Sequence, residues 1–120
     1  MNSNRKRLVL GLDIHDGKFP EFQTVAQEMV AITKKEAGAL TYLFLLSTDR
    51  KHCRLIETYN DQPAITAHFK GLAVQQFVPK LMDVANLAFV EFHGDPGAEI
   101  VAQAASLNPV VFATWQGFDR

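Results

Sequence analysis

Residues 8–14 alternate in character, with Leu8, Leu10, Leu12 and Ile14 falling on one side of an extended chain and Val9, Gly11 and Asp13 on the other. A period of two belongs to a strand with one firmly buried face, and such a face needs a covering layer. That layer follows at once. Asp16 and Gly17 end the strand, Pro20 suits the first turn of a helix, and Phe22, Val25, Met29 and Ile32 recur at three- and four-residue steps as far as Glu36. The spacing predicts a helix of about four turns lying against the strand.

Gly38 is placed to stop that helix as a left-handed residue, and residues 40–47 read as a strongly apolar strand. Residues 48–51 (Thr, Asp, Arg, Lys) make a polar turn, and 52–59 alternates again, which predicts a hairpin. Asp61 is a plausible N-cap before Pro63, and Ile65/Phe69 and Ala64/His68 are spaced as neighbours on one helical face. Helical character runs on through Phe77, Pro79 and Leu81, with breaks expected at Gly71 or Pro79. A strand over residues 87–93 closes the pattern.

The order strand, helix, strand, strand, helix, strand predicts an α+β fold of the ferredoxin-like, split β-α-β kind. Right-handed crossovers give an antiparallel sheet in spatial order 4-1-3-2 with both helices on one face. The other face is left bare, and apolar residues occupy both sides of the 40–46 strand. Soluble monomers avoid so large an apolar patch, so a homodimer is expected, the second copy covering the sheet. Residues 95–120 exceed what this fold needs. They predict a helix over 97–107 and a fifth strand over 110–115, an extension of the same domain in which Trp115 and Phe118 require cover, plausibly at an edge strand of a partner subunit. The whole of 1–120 is thus read as one domain, with its core at about 7–94 and its extension at about 95–120.

With 12 Lys and Arg against 13 Asp and Glu, the net charge of −1 gives no field to gather phosphates or an anionic membrane, so neither nucleic acid nor membrane is an expected partner. The basic Arg5, Lys6 and Arg7 read as a solvated strand entrance, and the apolar stretch behind them is interrupted by Gly11 and Asp13, unlike a signal peptide. A single cysteine, Cys53, without a Cys/His cluster excludes disulfide scaffolds and structural zinc, and a reducing cytoplasm fits best.

Three short motifs then stand in sequence: EAGALTY at residues 36–42, ETYND at 57–61 and AHF at 67–69. Together with the order of elements, over residues 8–93, they make the chain resemble the antibiotic biosynthesis monooxygenase family, whose members form dimeric α+β barrels. The resemblance implies a cofactor-independent monooxygenase that oxidises a quinol-like or other electron-rich aromatic with O₂, without flavin, haem or metal. The alternative is a non-catalytic small-molecule-binding or structural dimer of the same fold. Haem-degrading relatives use an Asn on the first strand with a Trp and a distal His. Here Leu8 to Leu12 carry no Asn, His68 stands in the place of the tryptophan and Val78 near that of the histidine, so haem degradation is disfavoured. Ala64 and His68 likewise do not reproduce the Asn and Trp pair of anthrone oxygenases.

His68 matches the family's common helix histidine and is the candidate general base; equally, it is a histidine satisfied by a carboxylate and serving the fold. Glu57 shares a strand face with Cys53, Leu55 and Tyr59, so a carboxylate points into an apolar layer and needs a partner there, either His68 or an amide at the dimer seam. Tyr42 and Tyr59 are candidate hydrogen-bond partners of a quinone oxygen, or ordinary strand aromatics. Phe44, Phe69 and Phe77, with Leu10, Leu12, Leu55 and Leu81, are candidate linings of an apolar substrate pocket between the second helical segment and the sheet. Glu91 and His93 share a strand face, but two ligands at i,i+2 do not make a metal site, and no metal is expected. His15 and His52 read as surface residues.

Overall fold

A computed structural model describes residues 4–120. The opening residues 1–3 of the polar N-terminal stretch lie outside the described residues. Strand β1 covers Lys6–Ile14 and helix α1 Phe19–Thr33, with Pro20 in its first turn. The hairpin follows as β2 (Ala39–Leu46) and β3 (His52–Tyr59), then α2 (Gln62–Lys70), a π-helical turn Ala73–Phe77, α3 (Val78–Met82) and β4 (Ala85–His93). The extension supplies α4 (Ala98–Gln103), a 3₁₀ turn Ala105–Leu107 and β5 (Val110–Phe112).

The sheet runs β2-β3-β1-β4-β5, so the first four strands take the order expected from the sequence. All pairs are antiparallel except β4 with β5. The register sets Leu8 opposite Glu57, Leu10 opposite Leu55 and Leu12 opposite Cys53, which fixes the helix-facing side of the sheet. On that side, one apolar cluster joins Leu12, Ile14 and Cys53 to Phe22, Met29, Phe77 and Leu81. A second joins Leu8, Tyr59, Val90 and Phe92 to Ile65 of α2 and to Ile100 and Ala104 of α4.

The structure corrects two local expectations and decides a third between its alternatives. Gly38 is not left-handed: α1 closes through Lys34 in ordinary helical conformation, and the positive φ values among glycines fall elsewhere. Glycine is needed at 38 for space, since a Cβ there would stand 2.5 Å from the Cβ of Ala64 on α2. The second helical segment breaks at Gly71, while Pro79 sits harmlessly in the first turn of α3. The fifth strand is three residues long and finds its partner within the chain. Val110, Val111 and Phe112 pair with Glu91, Phe92 and His93, and Gly94 N–H donates to the Phe112 carbonyl (2.7 Å). A parallel pair to its own β4 needs only the short return through α4.

Candidate functional site

Asp61 caps α2, its carboxylate accepting the N–H of Ala64 at 3.0 Å, and the helix it starts turns Ala64, Ile65 and His68 toward the sheet. His68 is thereby carried to the seam between the two apolar clusters. Its side chain is 1% exposed. The ring centroid lies 5.6 Å from that of Tyr42, which packs on the first cluster, and 5.2 Å from that of Tyr59, which belongs to the second.

Both ring nitrogens face carboxylates. Nδ1 stands 2.8 Å from Glu36 Oε1, and Nε2 stands 3.4 Å from Glu57 Oε1. A carboxylate only accepts, so Nδ1 carries the hydrogen toward Glu36. The longer second distance leaves Nε2 without a full-strength partner. Tyr59 donates its hydroxyl hydrogen to the same Glu57 Oε1. Glu36 reaches the ring from the turn between α1 and β2, a turn held by hydrogen bonds from Glu36 N–H to the Thr33 carbonyl and from Ala39 N–H to the Glu36 carbonyl.

The environment acts strongly on these groups. Burial pushes the Glu57 carboxyl up to about 8, helped by the nearby Glu36 and opposed by the Tyr59 hydrogen bond. Burial and the neighbouring Glu57 also push the Tyr59 and Tyr42 phenols well above their usual range, so both keep their hydrogens. The Thr33 hydroxyl is fully buried and has no well-formed hydrogen bond. A histidine with one fixed and one loosely held nitrogen, beside a carboxyl that titrates near neutrality, is equipped to take and return a proton in an apolar setting.

Of the residues singled out from sequence, the fold brings His68, Glu57, Tyr59 and Tyr42 together. Phe44 flanks them, its ring 5.8 Å from Tyr42 and 6.1 Å from Phe22. Phe69 and Phe77 part company: Phe69 packs on the second cluster and Phe77 is buried in the first. Two surface hollows lie elsewhere. One runs along the outer face of α2, by Pro63, Thr66 and Lys70, and the other lies between β4 and the 106–110 segment. The Glu91 and His93 side chains meet each other at 3.1 Å at an exposed strand end, and among the described residues no group of three His, Cys, Asp or Glu side chains is arranged to hold a metal ion. Sequence reasoning missed Glu36 as a site residue. It follows the last helical repeat of α1 and stands 32 positions before His68, so no periodicity links the two.

The chain belongs to the antibiotic biosynthesis monooxygenase family, whose model matches residues 7–80. Among solved structures it is similar to MupZ from Pseudomonas fluorescens, at 19% identity and a TM-score of 0.84 over 98% of this chain and 95% of that one. It is similar also to SnoaB, a cofactor-independent oxygenase from Streptomyces nogalater, at 16% identity and a TM-score of 0.66 over 74% and 90% of the two chains. A conserved protein from Methanosarcina mazei Go1 aligns at 16% identity and a TM-score of 0.69 over 78% and 96%. No curated protein matches. At 98% of this chain, the first alignment takes in the C-terminal helix and strand. No helix among the described residues is long and apolar enough to cross a membrane.

Proposed function

We propose that this chain is a cofactor-independent monooxygenase that oxidises a phenol, quinol or similar electron-rich aromatic with O₂, working as a homodimer in the cytoplasm. The observation that carries the reading is the buried Glu36–His68–Glu57 arrangement, in which a histidine lies between two carboxylates at the boundary of two apolar clusters. Family membership and the likeness to SnoaB support it. The chemistry asks little of a protein. The substrate O–H bond breaks and its proton passes to His68 Nε2, and the resulting anion gives up electrons to O₂. A ring C–H then becomes C=O, one oxygen atom entering the quinone and the other leaving as water, so the four electrons O₂ needs come from the substrate. The charge gained by the imidazole is balanced by the Glu36 carboxylate at Nδ1. On this reading the half-buried Tyr42 is the phenol that donates to a substrate oxygen, while the Tyr59 hydroxyl is held by Glu57 and keeps that carboxyl in place.

The test is oxygen uptake with a panel of phenols and quinols, without added flavin or metal. The expected result is one O₂ consumed per substrate, reduced by ~100-fold in His68→Ala with the melting temperature kept. One observation favours a second reading. His68 is enclosed and engaged at both nitrogens, as a structural histidine tying α2 to the α1–β2 turn is. On that reading the folded dimer binds aromatics without turnover, or binds none, and His68→Ala lowers stability alone.

A further inference from the structure

Glu36 stands apart from the rest of the cluster in one respect. The side chains of His68 and Glu57 are 1% and 4% exposed, whereas that of Glu36 is 25% exposed. Tyr59 is sealed, and Tyr42, though half-buried, holds its hydrogen tightly. Glu36 is therefore the carboxylate at which this buried network touches water, and it is bonded directly to the imidazole. Its second oxygen lies beside Gly71, where α2 ends and the helical segment turns, so the contact sits at the rim of the fold rather than within it.

We propose that Glu36 is the positioning residue of His68 and the outlet through which the site exchanges protons with solvent. Two physical facts carry this. A carboxylate at 2.8 Å from Nδ1 requires a hydrogen on Nδ1, so in the neutral ring the free electron pair sits on Nε2 and is turned to the interior. A base that takes a proton from the substrate must return it in the same turnover with its other nitrogen held fixed, and no other member of the cluster combines a bond to the imidazole with contact with water. In the balanced step, Nε2 takes the substrate hydroxyl proton and gives it back to the oxygen atom that leaves as water, while Nδ1 keeps its hydrogen on Glu36; the exposed edge of Glu36 is where that Nδ1 hydrogen exchanges with solvent. The groups that face Glu36 and share its field are His68 on α2, Glu57 and Tyr59 on β3, and Tyr42 on β2.

The place of Glu36 in a reaction rests on the proposed oxygenase reading, but the tautomer and the exchange do not, and this separates the two tests. The imidazole ¹⁵N spectrum of the full chain should show the Nδ1–H form of His68 in excess. Glu36→Gln, which serves either tautomer because its amide both donates and accepts, should give a mixture and should slow exchange of the ring N–H with water by ~10-fold or more. If Glu36→Gln does not fold, Glu36→Asp keeps the charge but withdraws it by one methylene and should also mix the tautomers. Ring-nitrogen shifts or N–H exchange unchanged from wild type in the folded variant would overturn the assignment, whether or not the chain turns over a phenol. Where turnover is found, Glu36→Gln should lower kcat by ~10-fold with KM little changed. Oxygen uptake that depends on His68 but is untouched by Glu36→Gln would overturn the positioning role and leave the oxygenase standing.

Discussion

Glu57 shows how one residue couples the site to stability. Its carboxyl is pushed from 4.5 to about 8 in the folded chain, chiefly by burial. Below about 4.5 both folded and unfolded chains hold the proton. Between the two values the unfolded chain releases it and the folded chain does not, so stability falls as pH rises, by at most about 1.4 kcal/mol per pH unit for this group, and levels off above about 8. Urea midpoints measured at pH 5, 6, 7 and 8 should decline along that course, and Glu57→Gln should remove much of the slope. An unchanged slope in the variant would mean that Glu57 is ionised throughout. Cys53 is also affected by burial, its thiol pushed up to about 11 at 1% exposure. It is a core atom, not a nucleophile.

Among the elements, the contact between the start of β2 and α2 matters most to the site, because α2 carries His68 and the turn before β2 carries Glu36. A Cβ at Gly38 would stand 2.5 Å from the Cβ of Ala64 there, too close for both to stay in place. Gly38→Ala should push α2 outward at a cost of about 1–3 kcal/mol, as overpacking does. Ala64→Gly loses helix propensity and packing, yet the double variant should be more stable than the two single effects added together, since each relieves the other. Thermal or urea unfolding of the four proteins measures the coupling, and strict additivity would show that the two residues do not press on each other. The extension behaves as a structural element in its own right. Ile100 is fully buried against Leu8, Val90 and Phe92, so α4 completes the core.

At the scale of the molecule, the face of the sheet away from the helices is the unresolved business of a single chain. Leu43 and Leu45 are each 52% exposed on β2, and the rings of Trp115 and Phe118 beyond β5 are 87% and 80% exposed. On the same face, Phe89 lies across Gly11 with the Arg54 guanidinium 5.0 Å above its ring, which leaves that part of the sheet already covered. In the proposed homodimer a second copy packed on the leucines would remove the exposed patch with two-fold symmetry. Sedimentation at micromolar concentration should give about twice the 13.4 kDa chain mass. Leu43→Glu with Leu45→Glu should shift it toward one chain without melting the fold, and a wild-type monomer would remove the dimer from the proposal.

The sequence determined by itself what is local. Period-two and period-three-to-four patterns mark strands and helices through neighbouring residues, and the Asp61 cap, the hairpin turn and the 4-1-3-2 order follow from such short-range rules. Family motifs identified His68, and the strand face of Glu57 and Tyr59 showed in the alternation of 53–59. Tertiary structure decided the rest. That Glu36 closes on His68, that Gly38 serves Ala64 rather than a left-handed turn, that Phe69 and Phe77 belong to different clusters, and that β5 returns to its own β4 all depend on residues far apart in the chain. Packing brings such residues together through the summed shape of several elements, and no single stretch of sequence carries a trace of that sum.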